Sequence, residues 1–404
     1  PTFGKAWTYA SLKASYSLTA DRGPASNSLA VFQSFTPWRP STSANESAII
    51  LAALENSELT YEKKNELNIG VALGFVDNRI NVEFDWYRRN NFDLIGYTQT
   101  MGVGGVTTKL ANDATMESTG CEFTISTTNI KTKDFKWTTD WIFGWAENTI
   151  TKLDSRSQVY SLVNGVGRTE GRPIGALYSI PFAGLTEEGL PTFFIDAEHT
   201  QVVGPGNYAD IYFQEYENID YLKYEGTIDP KITGSFGNTF SWKGLKLNVF
   251  FTYSFGNVLR LDNLCPVYSS DYSDLTASMK EMKNRWMVPG DENVTTIPSI
   301  PTVRQMREID ALNNAYSAYN YSTERVAKGD FIRLKELSLA YDLPKKYFEG
   351  QNAVSSFGVK LSATNLWLAY ADKKLNGRDP EYYNTGGVSS PVPRQFTLTV
   401  KLGF

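Results

Sequence analysis

Residues 394–404 read RQFTLTVKLGF, and their spacing decides the fold. Phe396, Leu398, Val400, Leu402 and Phe404 take every second position. Gln395, Thr397, Thr399, Lys401 and Gly403 take the positions between. Side chains of a strand alternate faces, so this is a strand with one apolar and one polar face. A soluble sandwich alternates in the same way. The stretch alone therefore leaves two partners open for the apolar face, a protein core or lipid.

The same alternation returns upstream. Leu67, Ile69, Val71, Leu73 and Phe75 run to the turn pair Asp77-Asn78, after which Ile80, Val82, Phe84 and Trp86 alternate with polar residues. Two such runs joined by a tight turn make a β-hairpin. A second hairpin spans residues 118–150, with Cys121, Phe123 and Ile125 on one strand and Trp137, Trp141, Phe143 and Trp145 on the next. A third spans 231–257 around Trp242-Lys243-Gly244. Strands at 5–20, 329–343, 357–369 and the last stretch bring the total to about ten. Residues 275–286, LTASMKEMKNRW, are the one amphipathic helix that the spacing predicts.

The connections alternate. Short turns are expected near Asn78, Ile130, Lys243 and Lys345. Long loops are expected around 21–62, 93–114, 154–228, 260–327 and 370–391. A sandwich has no reason to gather its long connections at one end. A transmembrane barrel does, with short turns on one side and long loops on the other. The expected class is therefore all-β, a transmembrane antiparallel barrel.

Bulk composition fits that class. The 404 residues carry 41% hydrophobic side chains, and no run of about 18 apolar residues would form a membrane-crossing helix. Barrel strands alternate lipid-facing and interior residues, which keeps mean hydropathy near that of soluble proteins. With 23 Tyr, 23 Phe and 9 Trp, aromatics reach 14%, which suits interfacial girdles or a carbohydrate-binding surface. A net charge of −5 with no basic stripe argues against nucleic acid. One histidine, His199, gives neither a histidine metal site nor a Ser-His triad, and no residue set points to catalysis. Cys121 and Cys265 make no disulfide framework and are expected as free thiols. The Gly-rich residues 101–106, MGVGGV, lack the Gly-Lys-Ser/Thr spacing of a phosphate loop and read as a loop.

Candidate binding residues fall into two groups. Asn81, Glu83, Asp85, Tyr87 and Arg89 alternate with the apolar set of their strand and are expected to face the lumen. Long loops on the outer side carry Tyr208, Tyr212, Tyr216, Tyr221 and Tyr224, and also Tyr382 and Tyr383. Loops are where a rigid scaffold presents binding groups. Tyr208, Tyr212, Tyr216, Tyr382 and Tyr383 are taken as substrate-binding candidates. Trp137, Trp141 and Trp145 share one parity and suit a lipid-facing belt, with a stacking platform for sugars as the alternative.

Several stretches carry a family resemblance. They are GDFIRLKELSLAYDLP (329–344), SATNLWLAY (362–370), GRDPE (377–381) and the final LGF. Upstream, 65–95, 120–130, 134–150, 237–257 and 284–300 agree in the same order. The chain resembles the carboxy-terminal half of a SusC/RagA-type TonB-dependent transporter of Bacteroidetes outer membranes. That resemblance implies a barrel of roughly twenty-two strands filled by a plug domain. On this reading residues 1–404 are the carboxy-terminal part of the barrel, with the plug and the first barrel half outside this chain. It also implies a SusD-like lipoprotein partner, TonB acting through the amino-terminal part, and import of oligosaccharide or peptide. Many members carry an acidic, calcium-loop-like segment before the hairpin at 231. Here 221–229 reads YLKYEGTID, with Tyr221 and Lys223 where oxygen ligands would stand. No cofactor is expected, calcium included. A passive porin and a soluble carbohydrate-binding β-protein are the readings from other classes.

Overall fold

The computed structural model describes residues 6–22, 29–36, 48–102, 105–264, 280–344, 347, 354–383 and 393–404. Ten strands form one antiparallel sheet in which each pairs with its neighbour in sequence. They are β1 (Trp7–Asp21), β2 (Glu62–Phe75), β3 (Ile80–Gln99), β4 (Thr108–Lys131) and β5 (Phe135–Leu153). Then come β6 (Ile232–Trp242), β7 (Leu245–Phe255), β8 (Phe331–Asp342), β9 (Ser356–Ala371) and β10 (Gln395–Gly403).

Register carries the alternation of single strands across the whole sheet. Ala10, Leu73, Val82, Ile125, Trp141, Phe236, Phe251, Leu334 and Trp367 stand in one row. The next position along each strand gives Ser11, Ala72, Glu83, Thr124, Ile142, Ser235, Thr252 and Arg333. A slip of one residue would turn a strand's apolar set to the other face. At β8 the sequence itself slips: Leu337, Leu339 and Tyr341 are odd, whereas Ile332 and Leu334 are even. Lys335 is the extra residue of a bulge there, and the bulge returns both sets to the apolar face. The tightest turn is Lys243-Gly244, with φ of 47° and 91°. Two positive φ values in a two-residue loop match the right-handed twist of the flanking strands.

Nothing described packs on the apolar face. Leu12 is 75% exposed at one edge, and Phe396 and Leu398 are 70% and 66% exposed at the other. In the middle of the sheet Phe84, Trp141, Phe236 and Leu339 are exposed as well. Each such side chain gains about 1.5–3 kcal/mol on leaving water. A sandwich would supply a second sheet, and these rows have none. An apolar face of this extent, left open on an antiparallel sheet, is what the lipid-facing side of a membrane β-barrel presents. Polar atoms within the rows pair with one another. Asn238 Oδ1 accepts from Trp137 Nε1 (2.9 Å) and Thr139 Oγ1 (2.7 Å), and Trp141 Nε1 donates to Tyr253 Oη (2.9 Å).

Four expectations need correction. The connection between β8 and β9, residues 343–355, is longer than a tight turn. The one between β3 and β4 is only 100–107, because both strands run on past the expected loop start. Residues 21–62 hold a small hairpin, Val31–Phe35 with Ala48–Ala53. Residues 275–279 of the expected helix lie outside the described residues, as does Cys265. Of the helix's described part, 280–286, Lys280–Asn284 is a 3-10 turn and the rest is irregular. The regular helices described are Val159–Val163, Val303–Glu308 and Leu312–Asn320.

The long connections β5–β6 and β7–β8 are not loose. They fold together into a body with the molecule's main buried core, in which Leu162, Val163, Ile180, Leu190, Phe193, Val203, Tyr208, Ala315 and Tyr319 pack. Short strand pairs frame it: Ala176–Ser179 with Lys223–Thr227, and Phe182–Leu185 with Pro191–Phe194. Arg260 pins the frame, donating to the carbonyls of Val163 (3.2 Å), Tyr178 (2.5 Å) and Ser322 (2.9 Å) and to Ser179 Oγ (3.1 Å). Burial pulls its guanidinium down to about 10, with the carboxylate of Glu225 opposing that shift.

Candidate functional site

The polar face of the sheet supplies the first part of the site. Asn81, Glu83, Asp85, Tyr87 and Arg89 of β3 all lie on it. Tyr87 reaches across Gly120, where a Cβ would come within 2.4 Å of its hydroxyl. The Arg89 guanidinium lies 4.1 Å from the Tyr87 ring centroid, and its Nε is 3.1 Å from Glu66. Lys64 and Asn68 also hold Glu66, at 3.0 and 2.9 Å. Asn81 Nδ2 donates to the carbonyl of Asn78. Three of the five are thus tied locally. Glu83 and Asp85 make no ion pair among the described residues, and Asp85 stands opposite Glu122. Like charges facing each other across strands are unfavourable unless a third group meets them. On β6 to β10 the same face carries Lys246, Lys360 and Lys401 around a hollow of about 420 Å³ with Glu336 and Asp342.

The second part is where the outer connections meet that face. Asn148, on the polar side of β5, accepts the N–H of Ile174 at 2.8 Å. Arg333, on the polar side of β8, pairs with Asp379, and its Nε sits 2.9 Å from Glu381. Residues of the β5–β6 and β9–β10 connections are therefore held over the polar face of the sheet. A hollow of about 430 Å³ opens among Leu153, Ser155, Arg156, Arg168, Tyr216 and Asp220.

The candidate tyrosines separate in this frame. Tyr208 has no exposed surface, and its hydroxyl donates to the carbonyl of Pro191 at 2.8 Å. Burial raises its hydroxyl pKa above the usual range. It is a core residue, not a surface for cargo. Tyr221 is buried too, its hydroxyl pushed up to about 12 by burial. Tyr224 packs against Tyr178 and under Arg172. Tyr212 is 56% exposed. Tyr216 lines the 430 Å³ hollow, and its hydroxyl accepts from the amides of Gln99 (2.6 Å) and Gln158. The N–H groups of Glu217 and Tyr216 hold the Glu215 carboxyl beside it below the usual carboxylate range. Tyr382 lies 6.0 Å from the Arg333 guanidinium, and Tyr383 lies 5.7 Å from that of Arg378. The structure thus brings Tyr216 to one hollow and sets Tyr382 beside Arg333 of β8 and Tyr383 beside Arg378. It removes Tyr208.

Other residues behave as follows. Trp137, Trp141 and Trp145 lie on the apolar face, with Phe240, Phe236 and Ile232 beside them. His199 stacks on Phe194 at 5.0 Å in an exposed loop. Lys223 Nζ sits 3.1 Å from Glu225 within the segment compared with a calcium loop. Sequence reading missed Arg260, Arg325 and Arg333. All lie in stretches that read as loop or strand, and the only signal was an arginine beside apolar neighbours.

No family model matches the chain. TonB-dependent receptor P3 of Formosa agariphila is 27% identical over 385 residues, covering 88% of this chain and 35% of that protein. TonB-dependent receptor SusC of Bacteroides thetaiotaomicron is 34% identical over 99 residues, covering 24% of this chain and 10% of that protein. Among solved structures, that of the RagAB peptide transporter superposes with a TM-score of 0.73 at 23% identity, covering 99% of this chain and 41% of that one. The chain spans roughly a third of the length of the curated receptors that match it along most of its own. The chain is thus similar in sequence to TonB-dependent receptors over most of its own length, and its ten-stranded sheet has the fold seen in the RagAB structure.

Proposed function

We propose that this chain is the carboxy-terminal wall and loop body of an outer-membrane importer energised through TonB. A plug domain and the remaining strands, outside this chain, complete the barrel. A SusD-like surface lipoprotein delivers the cargo. The observation that carries the reading is the pairing of an open apolar face with a polar face over which folded outer loops are fastened. Such a wall suits a solute path far better than a structural sheet. Glu83 and Asp85, and the lysines across the sheet from them, then line that path or meet the plug. No catalytic step enters this reading.

Oligosaccharide is the cargo we favour. Tyr216, Tyr382 and Tyr383 offer rigid aromatic surface beside fixed carboxylates and guanidinium groups, a combination that suits stacking on a sugar ring and bonding its hydroxyls. Peptide is the second reading, since the RagAB structures that share this fold are named as those of a peptide transporter. A binding screen of the purified full-length transporter with its co-purifying lipoprotein, against glycans and peptides, separates the two. The glycan reading expects saturable glycan binding that weakens at least tenfold in Tyr216→Ala. Peptide binding alone would replace it. A barrel that conducts solutes without plug or lipoprotein would be a porin, and a chain monomeric in buffer without detergent would be a soluble binding protein.

A further inference from the structure

The motif GRDPE, residues 377–381, sits where two parts of the fold meet. Its segment, residues 372–383, touches both the loop body and the wall. Leu375 is buried with Leu259, Leu261 and Ala327 in a small core of its own. Arg378 pairs with Asp262, and the same guanidinium donates to Tyr383 Oη at 2.9 Å. Tyr383 Oη also accepts the N–H of Asp262 at 2.9 Å. Arg325, itself buried, grips the carbonyl of Asp262 (2.7 Å) and the carboxylate of Glu281 (2.5 Å). That is the loop-body side. On the wall side Asp379 pairs with the buried Arg333, and Glu381 reaches Lys335 at 3.3 Å. Lys335 is the bulge residue of β8, so the irregularity that keeps the apolar face in register also supplies a cation to this segment.

We propose that residues 372–383 are a fixed clasp that joins the loop body to the inner wall, with Arg333 and Arg378 as positioning residues for Tyr382 and Tyr383. The alternative for a segment over a barrel mouth is a lid. Lifting this one would expose Leu375, break the Asp262–Arg378 pair and leave Arg333 buried without its partner. Removing one partner of a buried pair is far costlier than breaking an exposed one. The tyrosines then stand still while cargo passes, and entry must be gated elsewhere along the rim. The cargo role of the tyrosines rests on the function proposed above; the clasp itself does not.

The test is amide hydrogen exchange on the full-length transporter in detergent, which needs no cargo. The N–H groups of Lys374, Leu375, Asn376, Arg378, Glu381 and Tyr382 are bonded within the segment. In the native protein they are expected to exchange at least a hundredfold more slowly than an unstructured peptide. Arg333→Gln and Arg378→Ala each remove at least tenfold of that protection, in barrels whose heat-modifiable gel migration shows them folded. The swap Asp262→Arg with Arg378→Asp restores most of it, which loss of packing alone would not. Unprotected exchange in the native protein overturns the clasp, and so does a swap that protects no better than Arg378→Ala. Either result leaves the import reading untouched.

Discussion

Asn238 is a polar residue in an outward row, and its neighbours explain why it is tolerated. Its carbonyl takes the Trp137 N–H and the Thr139 hydroxyl, so three polar groups satisfy one another where no water can. Asn238→Leu adds apolar surface yet strands two donors. It is expected to destabilise the barrel by about 1–3 kcal/mol, read as a lower urea midpoint in folded liposome samples. Asn248→Ala, on the water-facing side, should stay within about 0.5 kcal/mol. Tyr208 and Tyr212 make a similar contrast in the loops. Tyr208→Ala empties a site in the core and should cost about 3–5 kcal/mol in loop-body stability. Tyr212→Ala should leave stability unchanged within about 0.5 kcal/mol, measured by the same exchange experiment. The residues looked alike in sequence, five tyrosines within one loop. Only packing by Phe193, Val203 and Leu312, which come from separate segments, decides which of them turns inward.

Along the strands β3 to β6 the outward rows change chemistry abruptly. Trp86, Cys121, Trp145 and Ile232 form one row. The row beyond it holds Arg88, Thr119 and Glu147, with the pairs Arg88–Glu117 (2.8 Å) and Lys231–Glu147 (2.5 Å). An aromatic row followed by exposed charges marks the upper edge of the bilayer. In a Cys265→Ser background, Cys121 in intact outer membranes should resist a membrane-impermeant maleimide. Thr119→Cys with Cys121→Ser should label at least tenfold faster; equal labelling would put the boundary elsewhere. Because β3, β4 and β5 are 20, 24 and 19 residues long, and about 9–11 suffice to cross, these strands stand well above the membrane. The hairpin β6–β7 was legible to within two residues, since alternation and a Lys-Gly turn both mark it. The bulge at Lys335 shows in sequence only as a change of parity between Leu334 and Leu337, and pairing with β7 decides which residue is the extra one. The helix Leu312–Asn320 was not legible, because its short buried stripe of Leu312, Ala315, Tyr316 and Tyr319 is hidden among Asn, Ser and Ala. The loop body escaped notice for a similar reason: its strands of two to five residues are too short to show a period.

At the scale of the molecule the sheet has two open edges, β1 and β10. Unpaired N–H and C=O groups in hydrocarbon cost several kcal/mol each, so both edges must pair with strands outside this chain. Residues 1–404 expressed alone should therefore yield no heat-modifiable barrel in liposomes, while the full-length transporter should. A stable barrel from this chain alone would revive the small-porin reading. The central claim is that one face of every strand meets lipid and the other meets water. A single-cysteine scan along β7 tests it most directly, in the full-length transporter reconstituted in liposomes with its native cysteines replaced. Cysteines at 247, 249, 251 and 253 should carry spin labels relaxed by oxygen, which concentrates in hydrocarbon. Those at 246, 248, 252 and 254 should be relaxed by a water-soluble nickel chelate. A period of two between the reagents is the predicted result. Equal response at adjacent positions, or odd positions shielded from both, would mean that the apolar rows lie against protein, and the importer reading would fall with them.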